Sequence, residues 1–465
     1  MKTMTIMVVI MVVLVMCGSV DAGSSVMMDS CAAVGSTPKE EKYKAMWSSA
    51  KEIEGDVIAL RRELHRRPAI MYEEYEAQEL VMSTLSDLGI KSKTMAITGV
   101  TADLGADVSS ASTPPKVVVL RADMDALPIK EEADVEFKSE IDGVMHACGH
   151  DTHTAMLLGA AKLLKPYESR LAAEGKTVRF AFQPSEEGGA GGKMMLDEGL
   201  LDGASAAFAL HTNSKTDVGV IVGKEGYSSA STQSWTIIIR GKGGHAARPH
   251  DTIDPVNAAA QVVLSLNTIV SRMVDNPNSP VIIGVTAING GDAMNVIPEQ
   301  VKLLGTIRTT DDESMHRIQG ILKNRAIDIA AANGCSATVT FRGDVEFTNS
   351  RGAKYRTAGY PAKYNDPALV KMGLHTAVEL FKDDDGSSDV AKIVKEDTST
   401  ALGGEDFAFF AKKVPSAMFG IGHAGSNPKT STAHHNPNFL VDEAMLVKGA
   451  AFYAQIALDY LDSSA

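Results

Sequence analysis

Cysteine is scarce, with four residues in a chain of 465. That excludes the disulfide frameworks of small secreted domains. Clustered positive charge is lacking too. Lys and Arg total 45 against 58 Asp and Glu, a formal charge of −13. The basic runs are no longer than pairs such as Arg61-Arg62 and Arg66-Arg67. A nucleic-acid footprint needs Lys and Arg gathered on one face, so no nucleic-acid partner is expected. Asn-x-Ser/Thr sequons are absent. What is present is ordinary for a globular protein: 44 % hydrophobic and 22 % charged residues, neither disordered nor fibrous. Single cores stop growing near roughly 250–300 residues, so this length implies two or three domains.

Long apolar runs are also rare. One, Met4 to Cys17, follows Lys2 and precedes Gly18-Ser19-Val20-Asp21-Ala22. It has the length of a signal-peptide core and is short for a membrane span, and small residues stand at the expected cleavage point. Residues 1–22 are therefore expected to be a signal peptide, with an uncleaved anchor as the alternative. The mature chain is then expected off the membrane in the secretory pathway: the endoplasmic reticulum lumen, the vacuole or the exterior. The terminal Asp462-Ser463-Ser464-Ala465 is not the retention tetrapeptide. Residues 23–50, small and polar at first, read as a flexible leader holding Cys31.

From residue 51 the pattern changes. Ile53, Val57, Leu60 and Leu64 recur at helical spacing, as do Leu80, Val81, Leu85 and Leu88. Unalternating β-branched runs follow at Val117–Leu120, Val178–Phe182, Ala206–Leu210 and Ser416–Ile421, separated by helical segments such as Thr152–Leu164. Such strands imply a mostly parallel sheet covered on both faces. Between about Ser231 and Phe341 the order is strand, helix, strand, strand, helix, strand, which is the ferredoxin-like arrangement. The expected fold is α/β: a three-layer catalytic domain with a mostly parallel sheet over 51–230 and 346–465. It is interrupted by a ferredoxin-like α+β domain over 231–345.

The chemistry gathers at strand ends. Asp123 and Asp125 follow one strand, Glu186 and Glu187 another, and His211 a third. Sites in open α/β sheets assemble beyond the carboxyl ends of strands. Singly each is an ordinary loop charge or satisfied histidine; jointly they favour a metal site. In His146-Ala147-Cys148-Gly149-His150-Asp151 a thiol and an imidazole two residues apart can address one ion. Asp151 or Thr152 could cap the helix beginning there. Thiolate, imidazole and carboxylate together suit Zn²⁺ or Mn²⁺. The adjacent Glu186 and Glu187 suggest one ligand and one proton shuttle, the pair that metal-assisted hydrolysis needs. Gly243-Gly244-His245 lies on a Gly-rich turn of the inserted domain. His434-His435-Asn436-Pro437 lies in a polar loop, and His423 competes with it as a ligand.

Ordered along residues 50–460, the motifs identify a resemblance. They are Arg62-Glu63-Leu64-His65 with Pro68, Leu120–Pro128, His146–Gly159, Phe182-Gln183-Pro184 into Glu186-Glu187-Gly188-Gly189, Gly241–His250, Asp254-Pro255, Asn295–Pro298 and Gly404-Glu405-Asp406-Phe407. The chain resembles the plant auxin-conjugate (indole-3-acetyl-amino-acid) hydrolases and the bacterial hippurate and N-acyl-amino-acid amidohydrolases, within the dinuclear metallopeptidases. The resemblance implies two divalent ions, Mn²⁺ or else Zn²⁺, with Cys148, His150, Glu187, His211 and His435 as ligands. It implies Glu186 as general base, Asp125 as the carboxylate orienting a ligand and His245 as a stabiliser of oxyanion or substrate. Asn295 and Arg308 would hold the substrate carboxylate, and a homodimer would form through the inserted domain. The implied activity is hydrolysis of N-acyl amino acids. A dipeptidase on the same site, or a non-catalytic metal-binding homologue, are the alternatives. Thr152, Ser185, Gly403-Gly404 and Asn436 depart from the family pattern without removing a ligand.

Overall fold

The computed structural model describes residues 38–108, 114–382 and 389–463. The expected signal peptide, Cys17 and Cys31 lie outside the described residues. The leader expectation is corrected in its second half. Pro38–Glu52 is a helix that buries Tyr43, Met46, Trp47 and Ala50 in the main core. The four recur at i, i+3, i+4 and i+7, a short helical stripe among charged and small residues, and docking against the C-terminal helix Ala444–Asp462 supplies the stability.

An eight-stranded sheet forms the centre of the large domain. Its inner strands Lys116–Asp123, Lys176–Gln183, Ala204–Asp217 and Ser416–Ala424 pair in parallel. The edge contributed by Ser92–Met95 and Gly99–Gly105 is antiparallel. Every residue from Val117 to Asp123 is buried, as a strand covered on both faces requires. On one face pack the helices Pro38–Glu52, Glu54–Arg66, His150–Leu164, Pro367–Phe381 and Ala444–Asp462. The other face holds a smaller cluster around Met195, Leu200, Phe407, Phe410 and Met418. The result is three layers.

The inserted domain obeys a different rule. Its strands Ser231–Arg240, Val281–Asn289, Gln300–Thr309 and Ser336–Phe341 form an antiparallel sheet in the order second, third, first, fourth. Burial alternates along Gln300–Thr309, because only one face is covered, by helices Pro255–Met273 and Asp312–Ala332. Asp254 and Asp311 cap those helices through side-chain oxygens. Trp235, Ile237, Ile239, Val262, Leu266 and Ile318 fill the core, each contributing about 1.5–3 kcal/mol by burial. Where the chain leaves and returns, Thr232 and Tyr360 exchange backbone hydrogen bonds of 2.8 and 2.9 Å. The hairpin Glu346–Thr348 with Lys354–Arg356 then folds onto the large domain, where Asn349 Nδ2 donates to the Tyr72 carbonyl at 2.8 Å.

Candidate metal centre and catalytic carboxylates

Parallel strands release their chains at one rim, and there the side chains converge. Asp123 ends its strand, Asp125 lies two residues on, and Glu186 and Glu187 follow Lys176–Gln183. His211 lies within Ala204–Asp217, since that strand continues past it. Gly149, at φ 84°, is the cap residue of helix His150–Leu164. A side chain there would meet Thr212 at 3.0 Å, so glycine lets the Cys148–His150 bend approach the sheet. Neither Asp151 nor Thr152 caps that helix. Thr152 Oγ1 donates back to the Gly149 carbonyl, while Asp151 accepts from Arg61 Nε and His65 Nδ1, both at 2.8 Å.

Cys148 Sγ lies 3.6 Å from His211 Nε2, and ligand atoms of Cys148, His150 and His211 lie within 4.8 Å of one another. The same limit holds for Cys148, Glu187 and His435, and for His150, Glu186 and Glu187. The imidazoles are oriented to offer lone pairs. His211 Nδ1 donates to the Thr212 carbonyl at 2.9 Å, leaving Nε2 toward Cys148. His150 Nδ1 donates to Asp125 at 3.2 Å, and its buried Nε2 has no hydrogen-bond partner. A buried orphan nitrogen beside a thiol and a carboxylate fits a borderline divalent ion. His435, at φ 63°, is half exposed, and its Nε2 reaches Glu187 Oε1 at 3.0 Å.

Two further histidines already have partners, although His153 forms another candidate ligand group with Asp123 and His150. His153 is fully used, donating from Nδ1 to Asp123 at 2.5 Å and accepting the Thr212 N–H at 3.0 Å. His423 donates to the Thr430 carbonyl at 2.8 Å and belongs to none of the candidate ligand groups among the described residues.

The adjacent glutamates differ in surroundings. Asp125 accepts the Glu186 N–H at 2.9 Å on Oδ1 and the Glu187 N–H at 2.8 Å on Oδ2. One carboxylate thus fixes His150 and both glutamates. The turn is tight: Ser185 and Ala190 both lie in the left-handed region at φ 59°, and a Cβ on Gly191 would fall 1.7 Å from the Pro184 oxygen. Burial, then Glu405 and Glu187, push the Glu186 carboxyl well above the usual range. Burial acts on Glu187 in the same direction, but His435 and His150 outweigh it and lower its pKa. Burial drives His211 far below the ordinary histidine value, so its ring is neutral, as a ligand must be.

Behind the rim lies a charged layer. Arg121, fully buried, donates to Gln183 at 2.8 Å, Asp123 at 2.8 Å and Asp406 at 2.9 Å, with Glu405 at 3.3 Å. The Asp406 N–H reaches Glu186 Oε1 at 3.4 Å, and Tyr360 donates to the Glu186 carbonyl. Glu405, Asp406 and Tyr360 lie far from Glu186 in the chain; only the matching Gly-Glu-Asp-Phe motif hinted at the first two.

The residues of the inserted domain lie elsewhere. His245 is exposed on a two-residue ribbon paired with Val296–Ile297, beside Asn295, whose carbonyl accepts the Ala246 N–H at 3.0 Å. Arg308 is half-buried and donates to the Leu402 carbonyl at 2.5 Å.

A family model described as peptidase family M20/M25/M40 matches residues 119–459. The chain belongs to that family. M20 relatives include a thermostable carboxypeptidase of Saccharolobus solfataricus, 36 % identical over 90 % of this chain and 98 % of that protein. The IAA-amino acid hydrolase ILR1-like 5 of Arabidopsis thaliana is 37 % identical over 88 % of this chain and 87 % of its own length. A Bacillus subtilis crystal structure, described as a dinuclear metal binding peptidase of the M20 family, superposes with a TM-score of 0.68 at 30 % identity. It covers 89 % of this chain and 99 % of that one. The chain is accordingly an M20 enzyme acting on amide bonds.

Proposed function

We propose that this M20 enzyme hydrolyses the amide of N-acyl amino acids, indole-3-acetyl conjugates foremost, releasing the free acid and the amino acid. The observation that carries the reading is the Asp125-clamped pair. Glu187 faces Cys148 and His435, while Glu186 faces a buried carboxylate layer that holds its proton affinity high. Cys148, His150, Glu187, His211 and His435 would hold two divalent ions, Mn²⁺ before Zn²⁺. Such ions, when bound, acidify water and polarise a carbonyl. Glu186 accepts the proton from water as the carbonyl is attacked and returns it to the leaving nitrogen. The Asp406 N–H and the Tyr360 hydroxyl keep that carboxylate and its peptide in place.

His245 stands outside the cluster, so its role requires a second copy of the chain. In a homodimer through the inserted domain, the His245 ribbon of one protomer would stabilise the oxyanion in its partner. The exposed apolar side chains Leu264, Ile282, Ile288 and Met294 on that domain favour such an interface.

A carboxypeptidase or dipeptidase reading is favoured by one observation, the 36 % identity to a thermostable carboxypeptidase over 425 residues. A panel of N-acyl amino acids and dipeptides, assayed with Mn²⁺ and with Zn²⁺, separates the two. The proposal expects acyl amino acids to have the higher kcat/KM. Preference for dipeptides would transfer the assignment to the second reading.

A further inference from the structure

We propose that Glu74 and Tyr72 are positioning residues, a two-ended clamp that sets where Glu186 and Glu187 stand. The inference rests on the base and ligand roles given to those glutamates above. Both stand on the turn 185–189, and that turn is gripped from outside at each end. At its start the Ser185 N–H donates to Glu74 Oε1 at 3.0 Å. At its end the Gly189 carbonyl accepts the Tyr72 hydroxyl at 2.9 Å. Between them Asp125 takes the N–H groups of Glu186 and Glu187. Three successive backbone donors thus end on two buried carboxylates, Glu74 and Asp125.

The helix that Glu74 precedes makes no use of its carboxylate, since Tyr75–Asp87 receives no side-chain cap from it. The carboxylate is fully buried and accepts from Ser185, from the Tyr72 N–H at 3.1 Å and from the Thr98 hydroxyl. Burying a carboxylate is costly unless donors meet it. Burial and then the Asp125 charge raise its pKa to about 7. The backbone is constrained on both sides of the contact. Met71 and Tyr72 lie at φ 24° and 60°, and Ser185 at φ 59°. Side-chain-bearing residues keep such conformations only where their surroundings over-determine them. Tyr72 is held three ways: its N–H by Glu74, its carbonyl by Asn349 Nδ2 at 2.8 Å, its hydroxyl by Gly189. Both left-handed segments therefore share the Glu74 carboxylate. Removing it frees the start of the turn while Asp125 still holds the middle. A misplacement of about 1 Å can cost about 10²-fold in rate.

The test uses the full chain, benzoylglycine as substrate and Mn²⁺ titrated into chelator-stripped protein. Glu74→Met removes both acceptors at similar length. Its kcat should fall about 10–100-fold and its Mn²⁺ affinity about tenfold, with KM little changed. Glu74→Gln keeps one oxygen for the two N–H groups and should recover most of both losses. Tyr72→Phe removes only the hydroxyl and should lower kcat about 2–10-fold with the unfolding midpoint held. Wild-type kcat and Mn²⁺ affinity in Glu74→Met, even with a lowered unfolding midpoint, would overturn the proposal and leave Glu74 as a support of the fold. Equal losses in Glu74→Gln and Glu74→Met would overturn it too, because charge rather than the accepted N–H groups would then matter. If Glu74→Met does not fold, Tyr72→Phe decides, and an unchanged kcat refutes the clamp. A wild type that cleaves no N-acyl amino acid, or a Glu186→Gln form with full turnover, would refute the underlying roles instead. The clamp is then judged on Mn²⁺ affinity alone, where unchanged binding in Glu74→Met overturns it.

Discussion

Asp125→Asn is the most informative perturbation of the centre. The native carboxylate accepts three N–H groups: His150 Nδ1 at 3.2 Å, Glu186 at 2.9 Å and Glu187 at 2.8 Å. Two fall on Oδ1 and one on Oδ2. An asparagine keeps one acceptor oxygen and turns an amide N–H toward a buried donor on the other side. A hydrogen bond to a charged group is worth about 1.5–3 kcal/mol, and a buried donor left unmet costs a similar amount. Losing one such contact at His150, a proposed ligand, or at the backbone of Glu187, should weaken ion binding about 10–100-fold. Calorimetric titration of Mn²⁺ into chelator-stripped protein measures this directly. The unfolding midpoint of the metal-free forms serves as a control for general damage. Wild-type affinity in a variant whose unfolding midpoint has fallen would refute the reasoning, because Asp125 would then only brace the loop.

Other perturbations separate the remaining roles. Glu186→Gln should lower kcat by about 10²–10⁴-fold while Mn²⁺ affinity stays within a few fold, read by turnover and calorimetry on one preparation. Gly191→Ala should abolish activity and destabilise the protein, since its Cβ would fall 1.7 Å from the Pro184 oxygen; thermal unfolding checks it. Trp47→Ala should cost about 3–5 kcal/mol in urea unfolding if Pro38–Glu52 is docked as described. His65, buried, donates to both Asp151 and Glu131. Burial and Arg61 oppose its charge, but Asp151 and Glu131 outweigh them and raise its pKa above the ordinary 6.5. Its contribution is therefore complete below pH 6.5 and declines as pH rises through the raised value. The alkaline fall in unfolding free energy should shrink in His65→Gln.

The sequence reveals the rim better than what supports it. Asp123 and Glu187 declare themselves because parallel strands end in loops, and unalternating apolar runs mark those strands; the run before His211 marks it too, although its strand continues to Asp217. The inserted domain is legible for the opposite reason, since its strands alternate and its helices are long, with Asp-capped starts. Three features are hidden. The helix Pro38–Glu52 shows only a two-turn stripe, Tyr43, Met46, Trp47 and Ala50, next to a small, polar stretch, and it is held by distant partners. The Arg61–Asp151–His65 and Arg121–Asp406 contacts join residues 90, 86 and 285 positions apart, and spacing says nothing at that range. His153 carries the same motif signal as His150, yet Asp123 and the Thr212 N–H occupy both its nitrogens. Only the fold distinguishes a ligand from a strut there.

The central claim is that the Glu186 carboxylate works beside an ion pair held by Cys148, His150, Glu187, His211 and His435. Its most direct test is to titrate chelator-stripped protein with Mn²⁺ while following cleavage of an N-acyl amino acid. The account predicts no cleavage without metal and full activity as about two equivalents bind. The Glu186→Gln form should bind the same amount and cleave about 10²–10⁴-fold more slowly. Cleavage that persists without metal, or full Mn²⁺ loading with no amide hydrolysed, would contradict it.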